Sequence, residues 1–241
     1  MCPGSRGRCR AGILYTKAVW PCGRQQRKTG MAKTLSDLPP RTALVEVARD
    51  FHQRGWMSGT AGNLSVRADA TSFWITASGR PKGRLDESDF LLVRIQDGTV
   101  IEQAAPGNKP SAETAIHRTI YSLFPEAHAC LHGHSVDGCL ASGRAKRAAK
   151  ALRLPAIEML KGFDIWQQNP KVDLPLFENT LDVAKIAAEI GKRLSKKPPA
   201  LSALMIRGHG ATVWGRSLQE AYNRFECLEF ILSVAARARA R

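Results

Sequence analysis

Strand-type and helix-type segments follow one another irregularly along this chain, and that order constrains the fold more than any other feature. Four alternating apolar segments come in succession between residues 64 and 103, with only glycine-rich or polar turns between them. Strict alternation of strands and helices would instead indicate a doubly wound parallel sheet. The sequence therefore predicts an α/β fold in which helices flank a mixed sheet with much antiparallel pairing.

The four successive strands are predicted at LSVRAD (64–69), SFWITASG (72–79), FLLVRIQ (90–96) and GTVIEQ (98–103), and we expect the last two to pair. Further on, AHACLHGHS (127–135) is predicted as a strand. ALMIRGHG and ATVWG are predicted as two strands around a tight turn. PAIEML (155–160) and VDLPLFEN (172–179) are predicted as short extended pieces.

The spacing of apolar residues predicts helices over 42–53, 111–124 and 181–194. A last helix is predicted after Ser217, because Glu220 follows it at the spacing of a capping box. These helices are the candidates for the layers that cover the sheet.

Residues 1–30 contain basic side chains but no acidic one, and they lack the apolar stretch of a secretory signal peptide. We interpret residues 1–35 as a disordered or mis-assigned N-terminal extension, and residues 36–241 as a single catalytic domain. Cys130, Cys139 and Cys227 lie in apolar surroundings and form no metal-type pair. Reduced thiols of this kind are typical of a cytoplasmic protein.

The formal net charge of +15 raises the question of a nucleic-acid partner. No recognisable nucleic-acid module is present, and no basic stripe is interleaved with aromatic residues. The longest apolar runs are far short of the roughly 20 residues that a membrane helix needs. We therefore expect neither nucleic acid nor membrane as a partner, whereas an anionic substrate would benefit from the basic surplus.

The sharpest local signal is His132-Gly133-His134. Residues i and i+2 of a strand point to the same face, so the two imidazoles can hold one ion. His209 lies between two glycines at a turn, where unusual backbone angles and close approach are possible. A third imidazole would complete the three-ligand open site of catalytic zinc.

Two carboxylates are candidates for acid–base chemistry. Glu113 lies near a predicted helix start, and His117 follows one turn later, so an E-x-x-x-H metal pair is a rival interpretation. Glu158 lies between Ile157 and Met159. A carboxylate partly buried there would have a raised pKa suited to proton transfer near neutral pH.

Three segments could bind an anion through backbone amides and a helix N-terminus. They contain Asn63, then Ser78 and Gly79 with Lys82, and finally Ser111. None of them matches the G-x-x-x-x-G-K-[ST] phosphate loop.

The ordered motifs GTAGNLSVR, ITASGRPKG, KPSAET, LHGHS and RGHGATVWG resemble those of the class II aldolase/adducin family from about residue 40 to the C-terminus. KPSAET, EMLKG, and IRGHG followed by VWG point to a dehydratase branch of that family. The resemblance implies a three-layer α/β/α subunit with a mixed, largely antiparallel sheet, assembled as a homotetramer.

The resemblance also implies a Zn²⁺ ion on His132, His134 and His209, and a small phosphorylated ketose as substrate. It implies phosphate contacts around Asn63, Ser78, Gly79 and Ser111, although Ala112 replaces a serine that aldolases often carry. The family's aldolases move protons with the residue matching Glu113, whereas the dehydratase branch points to Glu158. We favour Glu158 as the catalytic acid/base, with Glu113 as a second proton carrier or transient metal ligand.

Two other functions stay open at this stage. The first is a sugar-phosphate aldolase or 4-epimerase that uses the same metal and phosphate site. The second, of another class, is an adducin-like interaction domain without catalysis. The histidine trio argues against that domain, because a purely structural module need not retain three imidazoles.

Overall fold

A nine-stranded sheet runs through the protein, whose computed structural model describes residues 34–238. The strands are β1 Asn63–Arg67, β2 Ser72–Thr76, β3 Phe90–Arg94, β4 Val100–Gln103, β5 Ala129–Gly133, β6 Ala151–Arg153, β7 Asp173–Phe177, β8 Ala203–Ile206 and β9 Gly210–Gly215. Their order across the sheet is β4-β3-β2-β1-β5-β9-β8-β7-β6. Strands β7 and β8 are parallel, and the other neighbours in this sheet are antiparallel. The predicted mixed, largely antiparallel sheet is confirmed.

Helices cover both faces of the sheet and produce three layers. The helices are α1 Pro40–Gln53, α2 Thr114–Leu123, α3 Val136–Gly143, α4 Val183–Lys196 and α5 Leu218–Arg237. On one face, α2 and α4 pack together and bury residues such as Ile120 and Ile190. On the other face, α1, α3 and α5 bury a second core that includes Phe51 and Ile231. Burying each such side chain contributes about 1.5–3 kcal/mol, so both apolar helix faces stabilise the sheet.

The start of α5 agrees with its sequence signature. The Ser217 hydroxyl accepts a hydrogen bond from the Glu220 amide at 3.0 Å, as an N-cap should. The Glu220 carboxylate accepts from the amide of Arg216, one residue before the cap. The helix therefore begins where the sequence predicts, with the reciprocal contact displaced by one residue.

The prediction for PAIEML was wrong in part, because Glu158–Phe163 form a 3₁₀ helix instead of an extended piece. Asp164 ends it in the left-handed conformation, with φ of 62°. The short elements α3 and β6 were not predicted. The sequence of α3, VDGCLASG, contains two glycines, which weaken its helical signal. Its start depends on the Ser135 hydroxyl, which accepts from the Gly138 amide at 2.9 Å.

Residues 34–238 contain no helix that is both long and apolar enough to cross a bilayer. Within that range Cys130, Cys139 and Cys227 are free thiols. The predicted extension over residues 1–35 lies outside the described residues except for its last two positions, and it stays a prediction.

Helix α5 carries a carboxyl group that is almost completely buried. Glu229 is only 5% exposed, and its Oε1 atom has no hydrogen-bond partner among residues 34–238. Burial raises the pKa of Glu229 to about 7, although a hydrogen bond from Ser135 opposes this shift. The folded state therefore holds the Glu229 proton more tightly than the unfolded chain does.

We predict that Glu229 makes the protein less stable as the pH rises. Between about pH 4.5 and pH 7 the folded state binds more protons than the unfolded state, so the free energy of unfolding decreases across this window. Glu229→Gln should remove that decrease and stabilise the protein at pH 8 by up to about 3 kcal/mol. Denaturant unfolding of both proteins at pH 4 and pH 8 tests this. Equal pH dependence of the two proteins would contradict it.

Candidate metal centre

Three neighbouring strands end or begin at the same edge of the sheet and bring the site together. The register pairs His132 of β5 with Asn63, the first residue of β1, and with Thr212 of β9. His134 follows β5 directly, and His209 directly precedes β9. In an antiparallel pair, the end of one strand lies beside the start of its neighbour. Residues that are far apart in the chain therefore meet at this edge.

Four side chains converge at this edge. One ligand atom from each of Glu113, His132, His134 and His209 lies within 4.8 Å of the other three. The His132 Nε2 atom is 2.9 Å from His134 Nε2, and Glu113 Oε1 is 3.3 Å from His132 Nε2 and 3.0 Å from His209 Nε2. Ligands 2.0–2.1 Å from a tetrahedral ion would be separated by about 3.3 Å. The cluster therefore fits a divalent metal ion.

The three imidazole rings stand nearly perpendicular to one another. Their interplanar angles are 77° for His132 and His134, 84° for His132 and His209, and 89° for His134 and His209. This arrangement directs the ring nitrogens toward one point without stacking the rings. The structure thus brings together all three histidines that the sequence singled out.

Glycines make the approach of these strands possible. A Cβ atom on Gly133 would lie 2.7 Å from the Phe225 ring, and one on Gly210 would lie 2.2 Å from the Gly133 carbonyl oxygen. Gly208 has a φ of 58°, which L-residues rarely adopt. The expectation that glycines around His209 permit an unusual turn and a close approach is confirmed.

Two hydrogen bonds fix the positions of His132 and His134. The Thr212 hydroxyl contacts His132 Nδ1 at 2.9 Å, which leaves Nε2 for the ion. The backbone amide of His134 donates to the Trp56 carbonyl oxygen at 2.7 Å. Trp56 in turn packs on Phe225, with ring centroids 5.5 Å apart. Thr212 was missed by sequence reasoning, since only the β5–β9 register brings it to His132.

The site favours a neutral imidazole and an ionised carboxylate. Burial, together with repulsion from His132 and His209, lowers the pKa of His134 to about 3, so its ring keeps a lone pair at neutral pH. Burial alone would raise the pKa of Glu113, but His132 and His209 outweigh it and hold the pKa well below the usual range. These are the protonation states in which imidazole and carboxylate bind a metal.

Glu113 is held on both sides. Its Oε1 atom faces His132 and His209, whereas its Oε2 atom accepts a hydrogen bond from the Asn63 side-chain amide. Glu113 is also the N-cap residue of α2. The carboxylate is therefore oriented toward the histidines before any ligand arrives.

The rival metal pair of Glu113 and His117 does not form. His117 is completely buried and lies outside the four-residue cluster. Its ring nitrogens contact the Ser65 hydroxyl at 2.6 Å and Asn63 Oδ1 at 2.5 Å. The i,i+4 spacing brings His117 next to the site, but Asn63 lies between it and Glu113.

The expectation that Glu158 is partly buried and has a raised pKa was wrong. The side chain of Glu158 is 80% exposed, and its carboxylate pairs with Lys161 at 2.7 Å. The hydrogen bond and the charge of Lys161 lower the pKa of Glu158 instead of raising it. Its position at the start of the 3₁₀ helix leaves it exposed to solvent. Met159, the next residue, lines a surface cavity together with Trp56 and Ser135.

The segments predicted to bind phosphate do meet in space. The Asn63 amide lies 3.4 Å from the Ser111 hydroxyl, and the Ser78 backbone amide donates to the Lys109 carbonyl oxygen at 2.8 Å. Ser78 and Gly79 are exposed, and Gly79 has a φ of 72°. The loop after β2 is therefore held against the segment that precedes α2.

Lys82 adds a buried cation to this region. It is 2% exposed, and its ammonium group makes one long hydrogen bond, 3.4 Å to the Ala77 carbonyl oxygen. Burial lowers the pKa of Lys82 to about 8, against the opposing influence of Asp89 and Glu113. The sequence placed Lys82 in an anion-binding segment, but nothing in the pattern indicated that it would be buried.

We predict that the purified protein binds one divalent ion per subunit. His134→Ala should reduce bound metal by tenfold or more, because it removes a direct ligand from the cluster. His128→Ala is the matched control, since His128 is exposed and outside the cluster. Elemental analysis by mass spectrometry gives the stoichiometry. Equal metal content in the two variants would contradict the assignment.

Comparison with known proteins agrees with this architecture. The family described as "Class II Aldolase and Adducin N-terminal domain" matches residues 42–236. A methylthioribulose-1-phosphate dehydratase from Microcystis aeruginosa is 56% identical over 192 residues, covering 80% of this chain and 92% of that protein. A protein of the same name from Leptospira biflexa is 43% identical over 204 residues, covering 81% and 97%.

Among solved structures, an L-fuculose-1-phosphate aldolase from Thermus thermophilus is similar, with a TM-score of 0.61 and 27% identity. The match covers 80% of this chain and 92% of that one. The family match, the dehydratase relatives and the shared fold lead to one conclusion: the chain belongs to the class II aldolase and adducin family.

Proposed function

We propose that this protein is a hydro-lyase that converts 5-methylthioribulose 1-phosphate into 2,3-diketo-5-methylthiopentyl 1-phosphate and water. The observation that carries the proposal is the cluster of three imidazoles and Glu113, in a chain 56% identical to a protein named for that reaction. The reaction would be a step of methionine salvage, and we expect it in the cytoplasm.

We propose zinc as the ion, one per subunit, on His132, His134 and His209. Neutral nitrogen ligands with an open fourth position are typical of catalytic zinc. When bound, the ion supplies Lewis-acid polarisation of the ketose carbonyl group, which acidifies the hydrogen on the neighbouring carbon. Glu113, whose carboxylate lies in the same cluster, would be a further, transient ligand of the ion.

We propose that the phosphate group binds where the loop after β2 meets the segment before α2. Asn63, Ser78, Gly79 and Ser111 are the proposed contacts, with backbone amides as the main donors. Because the side-chain NH₂ group of Asn63 already donates to Glu113 and to the Ser111 hydroxyl, its contribution to phosphate binding would fall to the backbone. The ammonium group of Lys82 would supply the positive charge.

Two proton transfers are needed, and two carboxylates are proposed for them. Glu113 would remove the proton on C3. Glu158 would donate a proton to the hydroxyl group on C4, so that the C4–O bond breaks and water leaves. The resulting enol then tautomerises to the diketone. For Glu158 to act as an acid, its ion pair with Lys161 must open, because that pair favours the ionised form.

Exposed apolar side chains support the proposed homotetramer. Val136 of α3 is 75% exposed and Phe230 of α5 is 54% exposed. Both line the same surface cavity, about 520 Å³ in volume, as Trp56 and Met159. Apolar groups clustered in this way are typical of surfaces that another chain covers.

A sugar-phosphate aldolase or 4-epimerase is the second candidate, favoured by the position of Glu113 in the cluster. It would use the same carbonyl polarisation but break a carbon–carbon bond or invert C4. The non-catalytic interaction domain has less support. Burying imidazoles and a carboxylate together lowers the stability of the fold, and binding to another protein does not require such a cluster.

Incubation with methylthioribulose 1-phosphate separates these functions. We predict a diketone that has lost one water molecule, detected by mass spectrometry, whereas an aldolase would release two fragments. Fragments, or unchanged substrate with metal-loaded protein, would contradict the proposed function.

The role of Glu158 is tested by Glu158→Gln. We predict that kcat falls about 10²- to 10⁴-fold, as expected for loss of a general acid. Glu46→Gln is the matched control, because Glu46 also forms an exposed i,i+3 ion pair, with Arg49. Near-normal turnover of Glu158→Gln would assign the acid role to another group.

We further predict that Lys82→Met raises KM about 10- to 100-fold, the loss expected for one charge-assisted contact with phosphate. Lys171→Met serves as a control, because Lys171 is exposed. Steady-state kinetics with phosphorylated substrate measures the effect. Unchanged KM in Lys82→Met would exclude Lys82 from phosphate binding.

A further inference from the structure

A continuous chain of buried polar groups leads from the core to the metal centre. It runs from Tyr121 through Ser65, His117 and Asn63 to Glu113. Tyr121, Ser65 and His117 are at most 2% exposed, so water does not compete for these hydrogen bonds. None of these three is in the four-residue cluster.

The donor and the acceptor of each of these hydrogen bonds follow from the bond nearest the metal centre, between Asn63 and Glu113. The Asn63 side-chain NH₂ group donates to Glu113 Oε2, because a carboxylate oxygen accepts. The Asn63 carbonyl oxygen then faces His117 Nε2 at 2.5 Å. An amide oxygen can only accept, so Nε2 must carry the hydrogen.

Ser65 and Tyr121 continue this hydrogen-bonded chain toward the core. Burial lowers the pKa of His117 to about 3, so its ring is neutral and Nδ1 is an acceptor. The Ser65 hydroxyl must therefore donate to Nδ1, at 2.6 Å. A competing acceptor for that hydrogen, the Cys130 carbonyl oxygen, is farther away at 3.2 Å. With its hydrogen committed, Ser65 accepts from the Tyr121 hydroxyl at 2.8 Å.

We propose that His117 is a positioning residue. Its Nε2–H tautomer fixes the Asn63 amide as a donor to Glu113 Oε2, and this contact keeps Glu113 Oε1 directed toward the histidines. If the His117 tautomer were reversed, Asn63 would flip and present its carbonyl oxygen to a carboxylate. Two acceptors would then face each other without a hydrogen, and Glu113 would be pushed away from the cluster. The E-x-x-x-H spacing of Glu113 and His117 thus serves to orient a carboxylate.

A direct test observes the tautomer in the unmodified protein. Nitrogen NMR of protein labelled in its histidines distinguishes a protonated ring nitrogen from an unprotonated one. His117→Gln identifies the His117 signal by its loss. We expect hydrogen on Nε2 and none on Nδ1. Hydrogen on Nδ1 alone would overturn the proposal, and this result does not depend on folding of any variant other than the one used for assignment.

A matched pair of substitutions tests the consequence. The side-chain amide nitrogen of Gln lies near the position of Nε2, so His117→Gln keeps a donor toward Asn63. His117→Asn instead reaches only the Nδ1 position and keeps the contact with Ser65. A merely structural role would be affected similarly by both substitutions.

We expect His117→Asn to weaken metal binding by about 10- to 100-fold, the usual effect of losing a group that helps to orient a metal ligand. It should also lower kcat with little change in KM. His117→Gln should stay within about threefold of the unmodified protein. Chelator competition measures metal affinity without any substrate. Equal losses in the two variants would refute the positioning role.

Only the kinetic part of this test rests on the proposed function. If the protein failed to dehydrate methylthioribulose 1-phosphate, the tautomer and the metal affinities would still decide the role of His117. Conversely, a dehydratase in which His117 carried hydrogen on Nδ1 would keep the proposed function and lose this inference.

Discussion

The antiparallel register of β1, β5 and β9 is the constraint on which the site depends. It sets Asn63, His132 and Thr212 side by side at one edge of the sheet. A shift by one residue would turn His132 to the opposite face, because side chains alternate along a strand. The two buried cores on either side of the sheet oppose such a shift, since it would expose apolar residues of all three strands. Packing of the helices therefore stabilises the geometry of the metal centre.

The site combines close backbone packing at two glycines with hydrogen bonds that orient its side chains. Gly133 and Gly210 allow the backbone of two strands and α5 to come within contact distance of the histidines. Two of the ionisable groups beside these glycines have a partner that fixes their orientation: Thr212 for His132 and Asn63 for Glu113. The buried ammonium group of Lys82, in contrast, has only one long contact. A buried cation with a single long hydrogen bond suits an anionic substrate, whose own charge would pair with it.

Much of the fold could be predicted from the sequence, because the strands over 64–103 and the amphipathic helices have strong local patterns. The three histidines were also recognisable, since H-G-H on a strand and H between glycines limit the possible geometry. The partners of these residues could not be predicted: Thr212 and Ser65 reach the site only through strand register. Glu158 was misjudged for a related reason. Its apolar neighbours suggested a partly buried carboxylate on an extended piece, but in the 3₁₀ helix the carboxylate is exposed and pairs with Lys161. His117 was considered as a ligand, and its actual partner, Asn63, is 54 residues away.

The proposed metal centre holds one divalent ion on three imidazoles, with Glu113 as a further ligand when no substrate is bound. X-ray absorption spectroscopy of the zinc-loaded protein tests this most directly, because it reports the number and type of atoms around the ion. The account predicts three imidazole nitrogens at about 2.0–2.1 Å and a carboxylate oxygen at about 2.0–2.2 Å, with that oxygen lost or replaced in Glu113→Ala. Sulfur ligands, or fewer than three imidazoles, would contradict it.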